Sequence, residues 1–168
     1  ELSSRPIAIT HANPAFYHPA LRNKSNTVLD ALAESGGMLG LSLYPFHLKN
    51  GSACTLQSFC EMIEQTVERI GIDQLGIGSD LCQNWGYDTL EWMRSGRWTF
   101  VADHGEGSAA DQRWPDQPEW FQGSSDLPNI KAGLAQRGFS EVDINKIMGN
   151  NWLRFFQASF GPPATSDA

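Results

Sequence analysis

Three short apolar segments alternate with two helical patterns in the first half of the chain, and this alternation limits the fold more than any other feature. PIAIT (6–10), MLGLSLYP (38–45) and QLGIGSD (74–80) are nearly continuous apolar runs of strand length. Between them, 26–37 and 55–71 carry apolar residues at helical spacing. Buried strands that alternate with helices are typical of a parallel sheet covered by helices, so we predict an α/β fold.

Polar residues follow each predicted strand at its C-terminal end. His11 follows the first strand, Tyr44 lies at the end of the second, and Asp80 ends the third. Enzymes with parallel sheets place their active sites at the carboxyl ends of the strands. The sequence therefore predicts an active site at this edge.

The second half of the chain changes in character after Trp85. Residues 85–123 are rich in Trp, Gly and Asp, which predicts a long excursion over the strand ends. Two further helices are predicted over 127–138 and 140–161, and 162–168 is predicted to be a flexible tail. We expect residues 1–161 to form part of a single domain.

Three parallel strands with buried-type sequences do not complete a sheet, because their outer edges stay unpaired. A (β/α)8 barrel needs eight strands and about 250 residues. The chain has 168 residues and starts at Glu1 without an initiating methionine. We predict that it forms the C-terminal half of such a barrel, completed by an N-terminal half or a complementary chain.

The composition excludes several classes of protein. The net charge is -7 and no Lys/Arg run occurs, so no nucleic-acid partner is expected. No apolar run approaches the roughly 20 residues that a membrane-spanning helix needs. Cys54, Cys60 and Cys82 show no CxxC spacing, which argues against a disulfide framework or a structural zinc site, although a single disulfide stays open.

Three motifs together resemble the membrane dipeptidase family of zinc metallopeptidases. ITHANPAFYHPALRN (9–23) resembles the family's Ser-His stretch, in which Arg-Asn follows eleven residues after the histidine; His11 and Arg22 keep that spacing. LGIGSD (75–80) resembles its strand that ends in aspartate. IMGNNWLRFF (147–156) resembles its closing helix, which carries Gly-x-Asn, an apolar residue and Leu-Arg.

The chain also departs from the family pattern. Thr10 stands where the family usually has serine, and Cys82 stands where it usually has a second acid. The family's His-x-Asp pair, its bridging glutamate and one further histidine have no counterpart here. The resemblance therefore implies that this chain holds only part of a site for two zinc ions.

The resemblance assigns a role to three of the candidate residues. It implies that His11 is a zinc ligand, that Asp80 handles a proton of the attacking water, and that Arg22 binds the C-terminal carboxylate of a dipeptide. Tyr44 could line the substrate pocket. The alternatives are a hydrogen-bonded loop histidine, a turn-capping aspartate, a surface ion pair and a packed tyrosine.

The remaining polar residues are weaker candidates. His18 could support the carboxylate-binding loop, and His47 has no assigned role. His104 is interpreted as a loop histidine and Asn23 as a turn residue. The whole protein is predicted to be a homo-oligomeric zinc dipeptidase that uses a metal-activated water. Two interpretations compete with it: a barrel half without catalysis that serves binding or assembly, and a dipeptidase relative that acts on a modified peptide in biosynthesis.

Overall fold

The structure is a computed structural model and describes residues 3, 5–82, 86, 88, 89, 92 and 115–161. Its first part contains three strands and two helices in alternation: β1 (Ala8–Ile9), α1 (Asn26–Glu34), β2 (Met38–Leu41), α2 (Leu56–Ile70) and β3 (Leu75–Ile77). The last part is helical: α3 (Leu127–Gln136), α4 (Glu141–Asn145), a π-helical turn (Lys146–Asn150) and α5 (Asn151–Phe160). Single 3-10 turns lie at Pro45–His47, Gly51–Ala53, Ile72–Gln74 and Ser124–Asp126.

The three strands form one parallel sheet in the order β1-β2-β3, as the alternating pattern predicts. Ile9 pairs with Leu39, and Leu39 pairs with Leu75. Pairing continues past the strand bounds, because the Ala12 amide donates to the Gly40 carbonyl at 3.0 Å. The carboxyl ends of all three strands therefore lie at one edge of the sheet.

The helices follow the predictions except at their ends. Thr55 caps α2, since its side chain accepts from the Ser58 amide at 3.1 Å. α1 ends at Glu34, three residues before the predicted bound, where Gly36 takes a φ of 70°. The prediction of one helix over 140–161 is wrong, because a kink at Gly149, whose φ of 168° and ψ of -32° are not helical, separates α4 from α5.

One face of the sheet packs against α1 and α2. The leucines that the second and third strand segments place on this face are fully buried: Leu39, Leu41, Leu43 and Leu75. They lie in one core with Leu29 of α1 and with Phe59 and Ile63 of α2. Helices α3 and α4 add Ile130, Leu134 and Ile144 to the same core. This core holds the strand ends in a fixed register.

The opposite face explains the glycines of the LGIGSD strand. A Cβ on Gly76 would lie 2.4 Å from the indole nitrogen of Trp152, and a Cβ on Gly78 would lie 1.8 Å from the Thr10 carbonyl oxygen. The Trp152 indole donates to the Ile77 carbonyl at 3.0 Å. Only glycine leaves room for this close approach of α5 and of the end of β1.

The closing-helix motif attaches α5 to β3. The Asn151 amide donates to the carbonyls of Ile72 and Leu75 at 2.7 and 2.8 Å. Arg154 donates to the carbonyl of Asp73, whose carboxylate also pairs with Lys146 at 3.0 Å. The motif that resembles the family's closing helix thus has a docking role here.

Most of the predicted excursion, and with it His104, lies outside the described residues. Its last part packs beside α2, where Trp120 donates to the Cys54 carbonyl at 2.8 Å and Phe121 is fully buried. The predicted tail and domain bounds stay predictions. In the part of the chain that the structure describes, no helix is both long and apolar enough to cross a membrane.

Candidate active site

The structure places three of the predicted residues at one edge of the sheet. His11 lies two positions after β1, Tyr44 three after β2 and Asp80 three after β3. Because the strands are parallel neighbours in one sheet, their carboxyl ends lie at one edge, and the three residues follow these ends. The site that the sequence predicts is therefore built on the edge where it was expected, while the roles of the residues stay predictions.

His11 makes contacts through both ring nitrogens. Its Nε2 meets the guanidinium of Arg22, and its Nδ1 lies 2.8 Å from the hydroxyl of Thr10. A guanidinium only donates hydrogen bonds, so Nε2 must be the acceptor and Nδ1 carries the ring hydrogen. Thr10 thus fixes the tautomer that leaves the lone pair of His11 on Nε2. A cation bound to this lone pair would take the place of Arg22.

A zinc site needs more donors than the described residues bring together. Three or four protein ligands are usual for zinc. Within residues 5–82 and 115–161 and the few described between them, no three His, Cys, Asp or Glu side chains form a group that could hold a metal. The described residues therefore do not make a zinc site by themselves.

Asp80 has an unusual backbone conformation. Its φ is 55°, in the left-handed region, which costs a residue with a side chain roughly 1 kcal/mol or more. Its carboxylate is half-buried and has no hydrogen-bond or ion-pair partner in the described part of the chain. The alternative of a turn-capping aspartate therefore receives no support from these residues, and strained residues of this kind concentrate at functional sites.

Tyr44 is buried in aromatic contacts. Its ring centroid lies 5.6 Å from that of Phe46 and 5.2 Å from that of His47, both in edge-on geometry. Only 6% of Tyr44 is exposed. These contacts support the packing alternative, and a role in substrate binding stays a prediction.

A buried polar network behind the strand ends is the feature that the sequence interpretation missed. Asn13 and Asn23 are both buried and hydrogen-bond to each other and to Ser42 and His47. The interpretation of Asn23 as a turn residue is therefore incomplete. A signal was present in the sequence, since one asparagine directly follows Arg22 and the other follows His11 by two residues.

His47 lies at the centre of this network and is fully buried. The Ser42 hydroxyl accepts from the Tyr44 amide at 3.1 Å and lies 2.8 Å from Nδ1 of His47. The Ser42 hydroxyl can therefore donate its hydrogen to Nδ1 of His47, so the ring hydrogen of His47 lies on Nε2. In the described chain, this Nε2 is buried without a partner. Burial, followed by the positive charges of Arg22 and nearby groups, lowers the pKa of His47 to about 4.

The buried His47 should make the protein sensitive to acid. The folded state holds His47 neutral down to about pH 4, whereas the unfolded chain binds its proton near pH 6.5. Between these values the unfolded state binds more protons, so the free energy of unfolding should fall by about 3 kcal/mol as the pH drops. Chemical denaturation of the complete protein at several pH values measures this fall, and His47→Gln should remove most of it.

The matched control is His18→Gln. Burial also lowers the pKa of His18, but this histidine is partly exposed and lies outside the Ser42 contact. The control should keep most of the acid slope. A His47→Gln protein with the wild-type slope would show that His47 does not carry the effect.

Comparisons with known proteins agree with the motifs and the fold. The family model of membrane dipeptidases, peptidase family M19, matches residues 1–91. Dipeptidase tcpJ of Claviceps purpurea is 26% identical over 155 residues, which is 92% of this chain and 29% of that protein. An amidohydrolase from Pseudomonas aeruginosa superimposes with a TM-score of 0.81 at 29% identity, over 95% of this chain and 47% of the other.

A metallopeptidase from Rhodobacter sphaeroides, solved with a phosphinate mimic of the dipeptide L-Ala-D-Ala, has the same fold. It superimposes with a TM-score of 0.70 at 21% identity, over 94% of this chain and 37% of that one. The chain thus spans less than half the length of each of these three proteins.

Proposed function

Because this chain belongs to the membrane dipeptidase family, peptidase family M19, we propose that the complete protein is a zinc-dependent dipeptidase. The chain would form the C-terminal half of its (β/α)8 barrel and carry part of the active site. The observation that carries the proposal is the contact between His11 and Arg22 at the edge where the parallel strands end. The Rhodobacter neighbour, solved with a dipeptide mimic, supports the choice of substrate class.

Arg22 would bind the carboxylate of the substrate. Its half-buried guanidinium lies at the strand ends, where partial desolvation strengthens a charged hydrogen bond. The planar fork of arginine suits both oxygens of a carboxylate at once. In this structure the fork meets the His11 lone pair, and a metal bound there would displace it from the ring. Arg22 would then bind the carboxylate of the dipeptide whose peptide bond faces the metal.

Asp80 would accept a proton during hydrolysis. A water molecule that attacks a peptide carbonyl must lose a proton, and the departing amine must gain one. A carboxylate that has no partner among the described residues is available for this transfer. The left-handed backbone at Asp80 lies three positions after β3, which supports a role for the side chain at the strand ends.

An exposed apolar groove beside β1 supports the proposal of a half-barrel. The groove has a volume of about 750 Å³ and is lined mainly by α5 and by the segment that leads into β1, including Ile7, Trp152, Phe156 and Phe160. Ile7 is 52% exposed and Phe160 is 77% exposed. Apolar surface of this kind beside β1, the edge strand of the sheet within the described residues, is typical of an interface, so we propose that the rest of the barrel covers it.

Ile7→Asp tests whether this groove is covered in the complete protein. A carboxylate buried there without a partner should lower the free energy of unfolding by about 2–4 kcal/mol. Val142→Asp is the matched control, since Val142 is 67% exposed and lies on α4 outside the groove; its effect should stay within about 0.5 kcal/mol. Equal effects of the two substitutions in denaturation experiments would contradict the covered groove.

Hydrolysis of unmodified dipeptides by the complete protein tests the proposed function. We expect release of free amino acids, loss of activity when a chelator removes the metal, and recovery when zinc is returned. Failure to cleave any unmodified dipeptide in the zinc-loaded protein would contradict the proposal. Cleavage of modified peptides alone would favour an enzyme of a biosynthetic pathway, and no cleavage at all would favour a binding role.

A further inference from the structure

The position of Arg22 depends on a long loop rather than on a strand. It lies eleven positions after His11 and is carried by the first loop, residues 10–25, between β1 and α1. The second loop, residues 42–55, follows β2 and contains Tyr44 and His47. A loop of this length needs fixed contacts if one of its side chains is to meet a substrate group in a constant geometry.

Asn23 closes the first loop on itself. Its Oδ1 accepts from the Asn13 amide at 3.0 Å, and its Nδ2 donates to the carbonyl of His18 at 2.8 Å. The backbone adds a further contact, because the Lys24 amide donates to the Asn13 carbonyl at 2.8 Å. Residues 13 and 24 are thus held together at the base of the loop.

The two asparagines also join the first loop to the second. Nδ2 of Asn13 donates to the carbonyls of Ser42 and His47 at 3.0 and 3.1 Å, and its Oδ1 accepts from the Ser42 amide at 2.9 Å. Nδ2 of Asn23 donates to the same His47 carbonyl at 3.0 Å. Asn13 is fully buried and Asn23 is 8% exposed, so water does not compete for these bonds.

We propose that these two side chains, here called the amide clasp (Asn13 and Asn23), position Arg22 for the substrate carboxylate. Asn23 is the residue that follows Arg22 in the sequence, and Asn13 follows His11 by two residues. The clasp therefore connects the arginine, the end of β1 and the loop after β2 through six side-chain hydrogen bonds. The inference rests on the proposed role of Arg22 in a dipeptidase, and it makes Asn13 and Asn23 positioning residues.

Asn23→Asp in the complete protein tests the clasp with almost no change of shape. The acceptor for the Asn13 amide remains, but the NH₂ group that donates to two carbonyls becomes an oxygen that faces them. For dipeptides with a free C-terminus, KM should rise about tenfold or more while kcat changes little. For dipeptides amidated at the C-terminus, KM should stay as in the wild type, and zinc content should not change.

Asn151→Asp is the matched control. Asn151 is 2% exposed and also donates to two backbone carbonyls, but it joins α5 to the region of β3. The same chemical change there should lower stability without a preference between free and amidated dipeptides. If Asn151→Asp gave the same selective rise in KM, or if Asn23→Asp raised KM equally for both substrates or for neither, the clasp would have no positioning role.

Hydrogen exchange separates the clasp from the proposed function. Asn23→Asp should speed amide exchange within residues 14–24, whereas Asn151→Asp should not. If the wild-type protein cleaves no dipeptide, the dipeptidase proposal fails, while unchanged exchange in Asn23→Asp would overturn the clasp itself. Asn23→Ser, which fits the same space, is measured in the same way if Asn23→Asp does not fold.

Discussion

Replacing Asp80 with asparagine should lower kcat of the complete enzyme by about 10²–10⁴-fold, the usual effect of losing one positioned acid or base. Asparagine keeps the size of the side chain and tolerates the left-handed backbone at φ 55°, so the fold at this position should persist. Zinc content should stay close to the wild-type value, because the proposed role of Asp80 is proton transfer. Steady-state kinetics and metal analysis of the purified protein measure both quantities.

Asp73→Asn is the control for a general loss of carboxylate charge near the sheet. Asp73 pairs with Lys146 and Arg154 on the surface, so its substitution should change stability slightly and leave kcat unaltered. Wild-type turnover in Asp80→Asn would remove Asp80 from the mechanism.

Arg22→Lys should raise KM for free dipeptides at least about tenfold. Lysine keeps the positive charge but loses the two parallel N–H donors, and each charged hydrogen bond contributes about 1.5–3 kcal/mol. Dipeptides amidated at the C-terminus should be poor substrates of the wild type and should lose little more in the variant. Kinetics with paired free and amidated substrates measure the difference.

Arg137→Lys is the matched control for this substitution. Arg137 forms an exposed ion pair with Glu64, away from the strand ends, and its replacement should leave KM unchanged for both substrates. Equal cleavage of free and amidated dipeptides by the wild type would contradict both the role of Arg22 and the substrate class.

The sequence predicts the sheet well because local and periodic signals determine it. Apolar runs that contain Leu39, Leu41 and Leu75 have the length of strands and alternate with amphipathic helices, and the parallel order follows from that alternation. The N-cap at Thr55 depends on residues three positions apart and is equally local. The break between α4 and α5 has no comparably strong local signal, since a single glycine such as Gly149 is tolerated within a helical pattern and does not by itself identify a kink.

The site is less predictable because its contacts are long-range. The spacing of His11 and Arg22 suggests a common function, but only the folded loop shows that the guanidinium meets Nε2. The role of Asn13 depends on the backbone carbonyls of Ser42 and His47, which come from another segment of the chain. No periodicity in the sequence encodes such pairs, so an asparagine in a loop is first interpreted as a turn residue.

Zinc analysis of the complete protein with and without His11 tests the central claim most directly. The proposal predicts two zinc ions per wild-type subunit and the loss of at least one in His11→Ala, because a neutral imidazole is a strong zinc ligand. His18→Ala is the control and should keep the wild-type content. A His11→Ala protein that retains all its zinc, or a wild-type protein that binds none, would contradict the assignment of this strand end to a metallopeptidase site.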